Sequence, residues 1–194
     1  MRSLPKYVRR GLATIAQFCR ASRGASAVEF ALIAPPLLAI SVAILETAIY
    51  LFAQQTLQNA AETAGRVFLT GQGQNSGMTQ SQFTSAVCPM IQPLFKCNSL
   101  MVDVQSYASF ASANTSDPTL TFNGQGQVTN SWSYNPGSCV TDVAPNIIVV
   151  RLIYQWPVIG GLLGFTLSNL GNGSSQMMGV SVFRVEPFCN ANAT

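Results

Sequence analysis

The sequence predicts an α+β protein: a long N-terminal transmembrane helix that continues into an amphipathic helix, then a small antiparallel β-sheet domain with two disulfides. Three observations carry that expectation. Basic residues crowd the start of the chain, an uncharged apolar run follows them, and the later sequence alternates in the β manner around four cysteines. Composition agrees with a membrane-associated chain. Of 194 residues, 48% are hydrophobic and only 9% are charged, against about 25% charged in an ordinary soluble domain.

The net charge of +3 hides a segregation. Arg2, Lys6, Arg9, Arg10, Arg20 and Arg23 precede Ala25 with no acid among them, leaving four basic and seven acidic residues beyond, a balance of −3. A basic arm without the folded surface and aromatic readers of a nucleic-acid module gives no reason to expect a nucleic-acid partner. The positive-inside rule accounts for the same charges, so residues 1–24 read as a cytoplasmic leader with everything after the apolar run exported.

Residues 30–45 contain no charge and are bracketed by Glu29 and Glu46. A helix between those glutamates advances about 25 Å, close to the roughly 30 Å of bilayer hydrocarbon. Pro35 and Pro36 fall inside it and predict a kink or a loosened turn, because each removes an amide donor. Ile49, Ala53, Leu57, Ala60, Ala64 and Val67 then recur at intervals of three and four, extending the helix to about Thr70 before Gly71 and Gly73. Residues 25–70 are therefore expected as one helix. Either a partner or the chain's own globular domain covers its apolar stripe.

A polar linker over residues 71–78 leads into a β-rich extracytoplasmic domain, residues 79–194. Residues 79–95 predict a short helix broken at Pro89 and Pro93. Leu100, Val102 and Val104 alternate with polar neighbours, residues 120–122 and 127–132 flank a turn at 123–126, and residues 146–156 and 179–185 are the strongest later strands. The apolar run 147–165 holds Arg151, Gln155 and Pro157. A central arginine costs at least ~2.5 kcal/mol on insertion scales, so the run reads as a buried strand and not as a second span. Its remainder, 158–165, packs on the sheet or lies against a partner or the bilayer surface.

Cys19 lies in the leader; Cys88, Cys97, Cys139 and Cys189 lie beyond the apolar run. With no histidine and no CxxC, disulfides in an oxidising compartment are expected in preference to a metal. Four cysteines allow three pairings; Cys88 with Cys97 and Cys139 with Cys189 is the arrangement expected. Without histidine the Ser/His and Cys/His nucleophile pairs are unavailable, and Asp103, Asp117 and Asp142 stand on separate segments. Neither catalysis, a cofactor nor a small-molecule substrate is expected.

The stretch RGASAVEF, residues 23–30, joins the leader to the apolar helix. A prepilin-type peptidase needs a small residue before the scissile bond and an intact apolar helix after it. Cleavage after Gly24 would make Ala25 the new N-terminus and Glu29 the fifth residue. Residues 23–66 resemble the N-terminal signature of TadE-like proteins of the tight-adherence (Tad, or Flp) pilus system. The resemblance rests on Arg23-Gly24, on AVEFAL at 27–32, on Ala34-Pro35, on Glu46 and on the LQNAA run ending near Arg66. Where that family often carries a glycine and an arginine soon after the second glutamate, this chain has Thr47 and Ala48.

The resemblance implies a pseudopilin processed by the prepilin peptidase and held in the bacterial inner membrane, N-terminus cytoplasmic and C-terminal domain periplasmic. Its implied partners are sister pseudopilins, the major pilin and the inner-membrane platform, with Glu29 and Glu46 as assembly contacts. Other readings are a minor pilin or pseudopilin of a type IV pilus or type II secretion system, and a plain signal-anchored periplasmic domain. Ser41-Val42-Ala43 also offers an ordinary signal-peptidase site, but cutting there would sever the helix.

Overall fold

The computed structural model describes residues 24–70, 73, 76–92, 94–137, 147–158 and 164–185. They form helix α1 (Ala25–Leu69), helix α2 (Gln80–Ile91), and strands β1 (Met101–Tyr107), β2 (Tyr134–Asn135), β3 (Ile147–Pro157) and β4 (Ser174–Arg184). Two compact units meet between Glu46 and Thr47, so α1 contributes to both. The leader, residues 1–23, lies outside the described residues.

In the second unit the α1 stripe is covered by the chain's own sheet. Ala53, Leu57, Ala60, Ala61, Ala64 and Phe68 are buried, and they pack with Phe83, Val87 and Ile91 of α2 on Val102 and Val104 of β1, on Ile148, Val150, Leu152 and Tyr154 of β3, and on Met177 of β4. The period of two on the strands meets the three-and-four spacing on the helices, which makes one continuous apolar layer. The buried set is rotated slightly from the expected stripe: Ile49 is 52% exposed, while Phe68 is wholly buried. Helix α2 starts at a capping box, in which Thr79 Oγ1 accepts from Gln82 N–H while Gln82 Oε1 accepts from Thr79 N–H at 2.8 Å. It runs through Pro89 to Ile91 instead of breaking there. Pro89 itself falls in the last turn, so its missing amide costs one helical bond, that to the Ser85 carbonyl, and the helix ends two residues later.

The sheet order is β2-β1-β3-β4. β1 pairs antiparallel with β3, and β3 antiparallel with β4 over eleven residues. β2, however, pairs parallel with β1 through Val104 with Tyr134 and Gln105 with Asn135. The sheet is therefore mixed, not antiparallel throughout as the sequence suggested. The reason lies in residues 108–133, a long excursion that returns the chain to the starting end of β1 before β2 begins. The hairpin expected around residues 123–126 is present only as a bridge between Phe122 and Val128, closed by Gly126 N–H on the Asn123 carbonyl at 3.0 Å, with Gly126 at φ 75°.

That excursion lies over the face of the sheet opposite the helices. Asp103 and Arg151, directly opposite each other on β1 and β3, form a buried ion pair. Arg151 Nε donates to Asp103 Oδ2 at 2.8 Å and its Nη1 to the Ser116 carbonyl; Ser133 N–H donates to Asp103 Oδ1 at 3.0 Å. One charge pair thus holds the excursion at Ser116 and at its close, Ser133. Gln176 adds a bond to the Pro118 carbonyl at 3.0 Å.

Two features lock the helix side. Cys88 at the end of α2 and Cys97 before β1 form a disulfide, with Cα atoms 5.5 Å apart. It is one bridge among the described residues; Cys139 and Cys189 lie outside them. Phe68, Phe83 and Tyr134 also stack, with ring centroids 5.1 to 6.3 Å apart. Burial pushes the Tyr134 phenol up to about 12, and no described group hydrogen-bonds it. Tyr134 therefore remains a neutral wedge across the physiological range.

The tightest contact joins α1 to the edge strand β4. A Cβ on Gly179 would lie 2.5 Å from the Leu57 carbonyl oxygen and 3.1 Å from Gln58 Cα. Gln58 accepts from Val180 N–H at 3.0 Å and donates to the Val180 carbonyl at 2.9 Å, and Gln54 donates to the Met178 carbonyl at 2.8 Å. Helical side chains therefore satisfy edge groups of β4 that a further strand would otherwise take.

Two predictions follow from this packing. Gly179→Ala should destabilise the full chain in detergent by about 1–3 kcal/mol or more, because backbone must move to admit the methyl; unchanged urea unfolding by tryptophan fluorescence would contradict the close approach. Asp103→Asn should cost about 3–5 kcal/mol by stranding the Arg151 charge. The paired change Asp103→Leu with Arg151→Met should recover most of that loss in the same assay, and equal loss in both would contradict the ion-pair account.

Candidate processing junction and membrane helix

Helix α1 begins at Ala25, immediately after Gly24. A Cβ on Gly24 would meet nothing within 4 Å among the described residues. Neither packing nor a positive φ therefore requires glycine here.

Glu29 is exposed in the second turn of α1. It stands four residues from Ala25, so the two lie above each other about 6 Å apart along the axis. A new α-amine at Ala25 would find this carboxylate on its own helix face or on a neighbour's. Glu46 lies about 25 Å further along and roughly 100° around the axis, half-buried at the boundary between the two units. Gly24, Ala25 and Glu29 thus form one cluster, and Glu46 is separate from it.

Between the glutamates the helix presents apolar side chains outward. Phe30 and Leu32 are each 72% exposed, and Ile33, Leu37, Leu38, Ile44 and Leu45 are between 60% and 64%. The most apolar 18-residue window has a mean hydropathy of 2.2 with only 6% of it buried. A core helix of a soluble domain would be mostly covered, so this one is long and apolar enough to cross a membrane. Pro35 and Pro36 lie inside without ending it. The carbonyls of Ala31 and Leu32, which face those prolines one turn back, lose their helical donors. Spanning helices tolerate such gaps where neighbouring groups or waters supply a bond. The apolar exposure continues beyond Glu46, through Leu51 at 58% and Phe52 at 65%.

Tyr50, Gln54 and Gln58 were not singled out from the sequence as a set. The structure brings them together as one polar line along α1 facing β4, with Tyr50 Oη 3.1 Å from Ser175 Oγ. Their spacing of four residues was the available signal, an i, i+4, i+8 row on a helix. Among the described residues no group of three or more acidic or cysteine side chains is placed to hold a metal ion.

No curated protein and no solved structure matches the chain. The model of the TadE-like protein family matches residues 24–66. The match opens at Gly24, runs through the apolar helix and the Tyr50-Gln54-Gln58 line, and ends at Arg66 within α1, so these residues are similar to the TadE-like protein family.

Proposed function

We propose that this chain is a pseudopilin of the tight-adherence pilus system, cut between Gly24 and Ala25 by a prepilin peptidase and retained in the inner membrane by the first half of α1. The observation that carries the reading is a coincidence of boundaries: the TadE-like match and α1 begin one residue apart, at Gly24 and Ala25. A basic leader lies immediately before that point and an uninterrupted apolar helix immediately after it. Positive charge on the leader holds the N-terminus in the cytoplasm, which exports the second unit. The Cys88–Cys97 bridge supports that assignment, since disulfides persist in oxidising compartments.

The protein acts by contact and not by catalysis. After cleavage, Glu29 is the charged group nearest the new amine. A carboxylate carried into the bilayer is costly unless paired, so a docked neighbour whose amine meets Glu29 is favoured over other registers. Glu46 is the second carboxylate on α1 that would contact sister pseudopilins, the major pilin or the membrane platform. The sheet domain is the cargo that this helix holds at the outer face.

Sequencing the N-terminus of the membrane-fraction protein from cells carrying the pilus system should give Ala25. Gly24→Val should give Met1 and stop pilus formation, since a branched side chain cannot enter a pocket shaped for glycine. Glu29→Ala should leave the cut intact but lower pilus number. Normal processing and piliation of Gly24→Val would contradict the proposal, and Ile44 as the N-terminus would mark an ordinary secreted protein.

A further inference from the structure

One end of the sheet differs in chemistry from the other. Pro157 pairs with Ser174, so the close of β3 and the start of β4 form that end. Tyr50 reaches Ser175 there, which makes it also the end at which α1 enters the second unit. No aspartate, glutamate, lysine or arginine occurs from residue 152 to residue 183, nor in α1 between Glu46 and Glu62. At the opposite end β4 closes on exposed Arg184, paired with Ile147.

The side chains that β3, β4 and α1 bring to this end are those of a bilayer boundary, with exposed Asp117 beside them, next to the Pro118 that Gln176 holds. Phe165 is 41% exposed and Phe52 is 65% exposed. Trp156 is half-buried, stacked edgewise on Phe95 at 5.5 Å. The adjoining Lys96 is exposed, with its backbone N–H donating to Tyr154 Oη at 3.3 Å. Aromatic rings at the headgroup level and a lysine whose stem lies on apolar surface while its ammonium reaches phosphate are the usual anchors of such a boundary. Within this unit α1 again exposes large apolar side chains, at Ile49, Leu51 and Phe52.

We infer that this end of the sheet rests on the membrane, with Phe52 and Phe165 at the acyl boundary of glycerophospholipids and Lys96 toward their phosphates. The inference depends on the proposed membrane anchoring by α1, and continuity with that helix is what selects lipid over a protein partner.

Three variants of the full chain test it: Leu38→Trp in the span, Phe165→Trp at the inferred contact, and Phe110→Trp beyond the far end of β1. Each is reconstituted in phosphatidylethanolamine/phosphatidylglycerol vesicles with and without brominated acyl chains, and the signal of native Trp132 and Trp156 is subtracted using the unsubstituted chain. Loss of fluorescence at 38 and at 165, but not at 110, is expected. Quenching at 38 with 165 as bright as 110 would overturn the lipid contact and leave the anchor intact. Equal quenching at 110 and 165 would overturn the orientation. No quenching at 38 would overturn the membrane anchoring itself, and the inference with it.

Discussion

The structure depends on how closely one helix approaches one edge strand. At Gly179 the backbone of β4 comes within van der Waals distance of the α1 backbone at Leu57 and Gln58, a separation that any side chain would prevent. At that distance the amides of Gln54 and Gln58 reach the outward-facing peptide groups of Met178 and Val180. A helix cannot extend a sheet, but here its side chains supply the bonds that a neighbouring strand would. An edge that would otherwise invite pairing with another chain is closed. Gly65 repeats the device further along, where a Cβ would press into Phe183 and Ser181.

This contact accompanies a change of surroundings along one helix. Up to Glu46, α1 faces outward with large apolar side chains, as a bilayer requires; from Ala53 the helix is core to a folded domain. Small residues make the second role possible. Ala53, Ala60, Ala61 and Ala64 are buried with little side chain to hold the sheet away. Longer residues there would add apolar area but lose the edge bonds.

Much of this was legible in the sequence, for identifiable reasons. The β-branched run at Ile147–Pro157 and the alternation at Met101–Tyr107 announce buried strands, and α1 announces itself by period and by its freedom from charge. The parallel β2 was hidden because two residues make no periodic signal and its direction is set by the excursion before it. Asp103 sits on the polar half of an alternating strand and so looked exposed; only the register against Arg151 explains its burial. Gln54 and Gln58 likewise looked like solvent-facing polar residues, because nothing local shows that a strand edge over 120 residues away needs them.

The candidate junction was legible in another way. Gly24, Ala25 and Glu29 form a short pattern whose meaning is chemical, and the pairing of Cys88 with Cys97, nine residues apart, was legible as a short closed loop, while the place of Glu46 needed the three-dimensional structure. The central claim is that residues 53–68 belong to the domain's cooperative core and are more than an extension of the anchor. Amide hydrogen exchange of the full chain in bilayers tests this most directly. The account predicts that residues 53–68 open with the same free energy and the same denaturant dependence as residues 148–154 of β3. Exchange of 53–68 at lower free energy, independent of the sheet, would contradict it.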